Sequence, residues 1–256
     1  MKAFWGRFRP FCRVLVCGLA LLAAGCDALP GRPGSEDRYV RPGEVMDFER
    51  LFASNCTGCH GEGGRQGPAP LLADPLYLAY AGSRELRRVV SDGVPGTSMP
   101  PFLDERGGTL RSAQIDALVA GMQAAWGAAN GLAGRELPSY RGAPRGAGDL
   151  EVARARRSAR YRTFCADCHG ANGRGTASAG SVVEPSFLAL VSDQGLRTAV
   201  VVGRPDLGMP PYDGHAVGRP MRADEIEDVV AWMAAHLVEF PGRPSAERAS
   251  VVGKER

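Results

Sequence analysis

The 256-residue chain is 44% hydrophobic and 23% charged, the composition of an ordinary globular protein with room for one large domain or two small ones. Its 34 glycines and 19 prolines point to short elements joined by many loops. The formal charge of +3 makes no case for nucleic acid: without Lys2, Arg7, Arg9 and Arg13, which lie in an N-terminal segment of export type, 27 basic residues face 28 acidic ones, a net −1.

Residues 1–25 read as a signal peptide, with those four basic residues ahead of the apolar run Val14 to Ala24. Eleven apolar residues are too few to span a bilayer. The run ends Leu22-Ala23-Ala24-Gly25-Cys26, which resembles a bacterial lipobox, with Ala23 where Leu is more usual. The resemblance implies cleavage before Cys26 and lipidation of its thiol, and two acyl chains suffice for stable anchoring. Asp27, by the enterobacterial sorting rule, implies retention on the periplasmic side of the inner membrane. Ordinary cleavage, giving a soluble periplasmic protein, and an uncleaved signal anchor are the alternatives. Residues 26–43 follow as a tether.

In residues 44–129 a helical run containing Phe48, Leu51 and Phe52 leads into Cys56-Thr57-Gly58-Cys59-His60. C-x-x-C-H is the attachment signature of c-type haem: two thiols one helical turn apart add to the porphyrin vinyl groups, and the adjacent imidazole reaches the iron. A redox dithiol would sit in a βαβ context that the sequence lacks, and a zinc site has no need of His after the second Cys. A Gly-rich loop, residues 61–74, follows, then an apolar-periodic stretch from Leu86 to Val90, Met99-Pro100-Pro101-Phe102, and a closing helix with Ile115, Leu118, Val119 and Met122 on one face.

Residues 130–149 are rich in Gly, Pro and Arg and read as an ordered or semi-rigid linker. From Arg135 to Arg162 eight arginines meet only Glu136, Asp149 and Glu151; such a run is a solvated face or a docking patch for an acidic partner or anionic lipid. Residues 150–239 then repeat the first copy: Tyr161 and Phe164 ahead of Cys165-Ala166-Asp167-Cys168-His169, Glu184-Pro185 for Asp74-Pro75, Leu196 to Val202, Met209-Pro210-Pro211-Tyr212, and a helix with Ile226, Val229, Val230 and Met233. The motifs are offset by 109 and the methionines by 110, so one residue was gained or lost in the Gly-rich loop. Residues 240–256 form a polar tail that reads as mobile.

The order of helix, C-x-x-C-H, loop, helix, Met and helix resembles class I cytochrome c. The resemblance implies an all-α fold of two tandem class I cytochrome c domains, each wrapped around one covalently attached haem c. Domains this small are short of core on their own, and haem fills it. Cys56, Cys59, Cys165 and Cys168 attach the two haems, Cys12 and Cys17 leave with the signal, and Cys26 carries lipid, so no disulfide is expected.

His60 and His169 each supply one axial nitrogen. The resemblance makes Met99 and Met209 the opposite ligands, and the softness of a thioether on a proline-fixed loop suits that role. Met122 and Met233 lie on core faces, Met221 and His215 are rivals for the second iron without counterparts in the first copy, and His236 is a surface or packing residue. In the family a proline carbonyl accepts the Nδ1 hydrogen of the ligand His; Pro70 matches in the first copy. No proline matches in the second, where Ala179-Gly180-Ser181 aligns and another carbonyl must serve.

The expected function is that of a membrane-anchored dihaem cytochrome carrying single electrons in a periplasmic respiratory chain, an electron carrier with no catalytic residue. Its expected partners are a quinol-oxidising complex, a terminal oxidase, or a periplasmic dehydrogenase as donor. A haem enzyme such as a dihaem peroxidase, or a gas-binding module, would need an exchangeable iron position, whereas each copy offers a Met.

Overall fold

The computed structural model describes residues 34, 38–128, 132, 135–142, 150–215 and 217–238. The expected signal segment with Cys26, part of the linker and the tail lie outside them. A short first unit ends at Glu44; within it Pro42–Glu44 forms a 3-10 turn, and Arg41 pairs with Glu44 at 3.4 Å. A second unit, from Val45 onward, contains both copies.

The second unit is all-α. The first copy runs α1 (Phe48–Asn55), α2 (Thr57–His60), α3 (Pro75–Asp92) and α4 (Ser112–Trp126). The second runs α5 (Leu150–Phe164), α6 (Ala166–His169), α7 (Pro185–Leu190), α8 (Asp193–Val202) and α9 (Ala223–Ala234). Among the described residues there is no strand, only two isolated bridges, Leu103 with Leu110 and Arg204 with Met209.

Local chemistry sets the boundaries. Asp47 accepts from the Arg50 N–H at 2.9 Å and starts α1. Asp74 and Glu184 accept from the N–H groups of Tyr77 and Phe187, and each is followed by a proline at the first helical position of α3 or α7. Gly82, at φ +66°, kinks α3; the second copy makes a full break there and restarts α8 on a Ser192 cap.

The four predicted positions of α4 are 0–6% exposed, as are their counterparts on α9. Burial of such side chains contributes about 1.5–3 kcal/mol each. α4 packs on α1 and α9 on α5, so each closing helix crosses the helix that leads into its motif. Phe52 meets the Trp126 ring edge-on at 5.0 Å, and Tyr161 stacks on Trp232 at 3.6 Å.

The copies are not two separate cores. One cluster of buried residues runs from Leu51 through Tyr77, Tyr80 and Leu86 into Leu196, Val201 and Met233, with Leu137 and Tyr140 packed against it. The segment 135–142 is a strap bonded from both sides. Tyr80 in α3 and Gln194 in α8 both donate to the Tyr140 carbonyl, at 3.0 and 2.9 Å. Arg197, 2% exposed, donates to Ser139 O at 2.9 Å, and the Tyr212 hydroxyl to Glu136 O at 2.6 Å.

Arg141, Arg154, Arg156 and Arg162 are exposed, as a solvated face requires, but four arginines between Arg135 and Arg162 are also held by acidic groups. Arg135 pairs with Asp213, Arg141 with Glu85, Arg156 with Asp228 at 2.6 Å and Arg160 with Glu225 at 3.0 Å. The acidic partners are buried or nearly so, and α9 supplies two of them. A charge run read along one helix gives no sign of the acids that an opposing helix will bring.

Candidate functional site

Each C-x-x-C-H motif is a one-turn helix closed by glycine. The Gly61 N–H donates to Thr57 O and the Gly170 N–H to Ala166 O, at 2.9 and 2.8 Å. No disulfide joins the four motif cysteines; the first of each pair is half-buried and the second exposed. Burial, then the neighbouring Cys59, pushes the Cys56 thiol up to about 11; burial and Cys168 push Cys165 to about 12. The first thiol of each pair is therefore disfavoured as a thiolate. Among the described residues no three His, Cys, Asp or Glu side chains gather to hold a bare metal ion.

The imidazoles are fixed by their other nitrogen. His60 Nδ1 lies 2.9 Å from the Pro70 carbonyl, and His169 Nδ1 lies 2.8 Å from the Gly180 carbonyl. A carbonyl only accepts, so Nδ1 carries the proton and Nε2 keeps its lone pair, the tautomer an iron ligand requires. His60 is 8% exposed, and burial lowers its pKa, which favours the neutral ring. Cysteines one turn apart, unpaired with each other, beside an oriented imidazole fit covalent haem c, with Cys56, Cys59 and His60 holding one group and Cys165, Cys168 and His169 the other.

The two methionine loops are built alike. The Val94 N–H donates to Met99 O and the Arg204 N–H to Met209 O, both at 3.0 Å; the Phe102 N–H donates to Val90 O and the Tyr212 N–H to Val201 O. Gly93 and Gly203 sit at φ +66° and +73°, and a Cβ at either would lie 2.6 Å from the chain just past the methionine, so only glycine lets the loop fold back this closely. Met99 and Met209 are both half-buried, on loops anchored at both ends.

The rivals separate from this pattern. Met122 and Met233 are core residues, 3% and 5% exposed. Met221 has a counterpart after all: its N–H donates to Tyr212 O as the Leu110 N–H donates to Phe102 O, and both side chains are buried. It is an apolar core residue in Leu110's place. His215 packs its ring on Phe164 at 5.8 Å, with Nε2 buried and unpartnered. His236 packs on Trp232 and donates to its carbonyl.

Hydrogen bonds also locate the length difference between the copies. The Leu72 N–H donates to Gly64 O and the Val182 N–H to Gly173 O, so Gly64 matches Gly173 at an offset of 109 while Leu72 matches Val182 at 110. The extra residue falls between Gly173 and Gly180. Sequence reasoning missed Arg204 and Asp206, which hold a two-pronged ion pair inside the second methionine loop. The signal was their departure from the first copy, where Val94 and Gly96 align.

Comparison with known proteins places these features in a family. The family model described as cytochrome c oxidase, cbb3-type, subunit III matches twice, over residues 43–120 and 153–233. A thiosulfate dehydrogenase from Stutzerimonas stutzeri (strain A1501) is 33% identical over 141 residues, which are 51% of this chain and 42% of that protein. The chain thus matches less than half the length of that relative. A solved chain from the Kuenenia stuttgartiensis reducing HAO-like protein complex is 17% identical, with a TM-score of 0.44, covering 78% of this chain and all of that one. The paired motifs, their oriented imidazoles and the two family matches, which together span more than half the chain, make this protein a member of the c-type cytochrome family described as cbb3-type cytochrome c oxidase subunit III, an electron-transfer protein with covalently bound haem c.

Proposed function

We propose that the chain is a two-haem electron carrier, one haem per copy, with His60 and Met99 as axial ligands in the first and His169 and Met209 in the second. The observation that carries this reading is the duplicated fixing of Nδ1, by Pro70 in one copy and Gly180 in the other. Bound haem supplies a one-electron ferric/ferrous couple. The protein's own groups hold it covalently, orient the imidazoles and aim a thioether from a braced loop, so that both axial positions stay filled and little moves on electron transfer.

In this reading the mature protein is anchored through Cys26 on the periplasmic side of the inner membrane and passes electrons between a quinol-oxidising complex and a terminal oxidase. No helix among the described residues is long and apolar enough to cross a membrane; in this reading the acyl chains on Cys26 supply the attachment. A second reading, a cytochrome subunit accepting electrons from a periplasmic dehydrogenase, is favoured by the 33% likeness to a thiosulfate dehydrogenase.

Intact-mass measurement on the detergent-extracted protein tests the proposal, with two haems plus acyl chains as the expected result. Two haems without acyl chains would remove the anchor and leave the carrier; fewer than two haems would remove the carrier. Rapid binding of carbon monoxide to the reduced protein would move the reading to a haem enzyme or a gas-binding module.

A further inference from the structure

The loop that follows the first motif meets the loop that carries the second methionine. Gly67 packs directly on the first motif, since a Cβ there would overlap the backbone of Cys59, His60 and Gly61. Its carbonyl lies 3.5 Å from Nη2 of Arg204, the long edge of hydrogen-bond range. Arg204 belongs to the second methionine loop: its N–H donates to Met209 O and receives the Met209 N–H at its own carbonyl, both at 3.0 Å. Backbone and one side chain thus run without a gap from Met209 to the Cys59–His60 segment.

Both sides of this contact are held in place. Asp206, its carboxylate 8% exposed, takes Nε and Nη2 of Arg204 at 2.9 and 2.8 Å, a planar fork that a lysine could not reproduce. Arg204 first, with Arg65 of the facing loop adding to it, holds the Asp206 carboxyl below its usual range. On that facing loop Gln66, between Arg65 and Gly67, is the only described non-glycine residue with positive φ, at +59°. This conformation is unfavourable for a residue with a Cβ and persists only where the surroundings impose it. The strained residue therefore stands immediately before the carbonyl that faces Arg204.

We propose that Arg204 is the positioning residue for electron exchange between the two copies: through Gly67 it couples the Met209 loop to the Cys59–His60 segment, and an electron held at one site passes to the other across this contact. The inference rests on the two-haem reading above. One site is oxidised by one electron as the other is reduced by one, with no bond made or broken and no proton released.

The test uses the full-length, haem-loaded protein, reduced by less than one electron per molecule with a radiolytic pulse, and follows redistribution between the sites by transient absorbance while potentials are measured on the same samples. Arg204→Ala should slow redistribution about tenfold, within the range that a misplacement of up to about 1 Å costs between oriented reacting groups, with haem content unchanged. Arg204→Lys keeps the charge but not the fork and should slow it as well; a wild-type rate in Lys would mean that charge alone acts and would overturn the proposal. Gln66→Gly, which relieves the strain, should slow it with the fold intact and serves if Arg204→Ala does not fold. Unchanged rates in protein carrying two haems overturn the proposal, whereas fewer than two haems per chain by intact mass overturns the two-haem reading instead.

Discussion

Trp126 and Trp232 fill the same slot although they stand five positions apart in the aligned closing helices. Ile115 matches Ile226, so Trp232 aligns with Gly121, not with Trp126. Yet a Cβ at Gly64 would lie 3.0 Å from the Trp126 ring, and one at the matching Gly173 would lie 2.9 Å from the Trp232 ring. Five residues are about 7.5 Å of helix. The first copy makes up the difference with Phe48, whose ring lies against Gly121 and meets Trp126 at 5.3 Å.

It follows that either tryptophan is a keystone of its copy while Gly121 tolerates nothing larger. Trp232→Ala and Trp126→Ala should each cost about 3 kcal/mol, read from denaturant midpoints. Gly121→Ala should cost about 1–3 kcal/mol by driving a methyl into the Phe48 ring. A neutral Gly121→Ala would show that the first copy relaxes freely around Phe48.

The second copy carries a charge cluster where the first is neutral. Glu225, 0% exposed, pairs with Arg219 at 2.7 Å, Arg160 at 3.0 Å and Arg222 at 3.2 Å; the aligned residues in the first copy are Gln114 for Glu225 and Leu51 for Arg160. Hydrogen bonding from Arg219, with the Arg222 N–H and the charges of both arginines, lowers the Glu225 carboxyl from 4.5 to about 2. A depressed folded-state pKa gives stability that is fully present above the unfolded value and is lost as pH falls toward the folded one. Urea midpoints should therefore fall between pH 4.5 and about 2, and Glu225→Gln should flatten that part of the profile. Copying the first copy at both helix positions, with Arg160→Leu and Glu225→Gln together, should recover part of the stability lost by Glu225→Gln alone.

Replacing Met99 or Met209 with His should leave a folded protein in which one of two reduction potentials is lowered, because imidazole favours ferric iron where a thioether favours ferrous. Spectroelectrochemistry reads the potential, and the red-region sulfur-to-iron absorption of the oxidised protein reads the bond. If that absorption survives both substitutions, neither methionine is the ligand.

Because one buried cluster runs through both copies, damage to one should reach the other. Cys56→Ala with Cys59→Ala, read from sequence alone, should disorder the first copy and spare the second. With Tyr80, Tyr140, Gln194 and Arg197 joined through the strap, the second copy should also lose protection. Amide exchange resolved by residue distinguishes the cases, and a second copy as protected as in the wild type would show the copies to be independent.

The parts of this protein that repeat were legible before any coordinate. The motif spacing, the paired Met-Pro-Pro segments and the i, i+3, i+4, i+7 faces placed the helices and the all-α fold, because each is a local pattern with one structural solution. The acceptor in the second copy could be narrowed to the Ala179-Gly180-Ser181 stretch, since a missing proline removes only the residue type and not the need for a carbonyl. What stayed hidden depends on partners far apart in sequence. Gly-, Pro- and Arg-rich composition marks 135–142 as a connection but not as one grasped by Tyr80, Gln194 and Tyr212. Met221 looked unmatched because its equivalence to Leu110 is written in backbone hydrogen bonds, not in side-chain type.

The strap also bears on how such a pair of copies can change. A duplicated domain on a free tether can be swapped for a homologue, lost or reordered with little effect on its neighbour. Here a replacement second copy would have to arrive with its own equivalents of Gln194, Arg197 and Tyr212, already spaced to grip Tyr140, Ser139 and Glu136. The connection has turned two interchangeable modules into one heritable unit, and substitutions in either copy are screened against both.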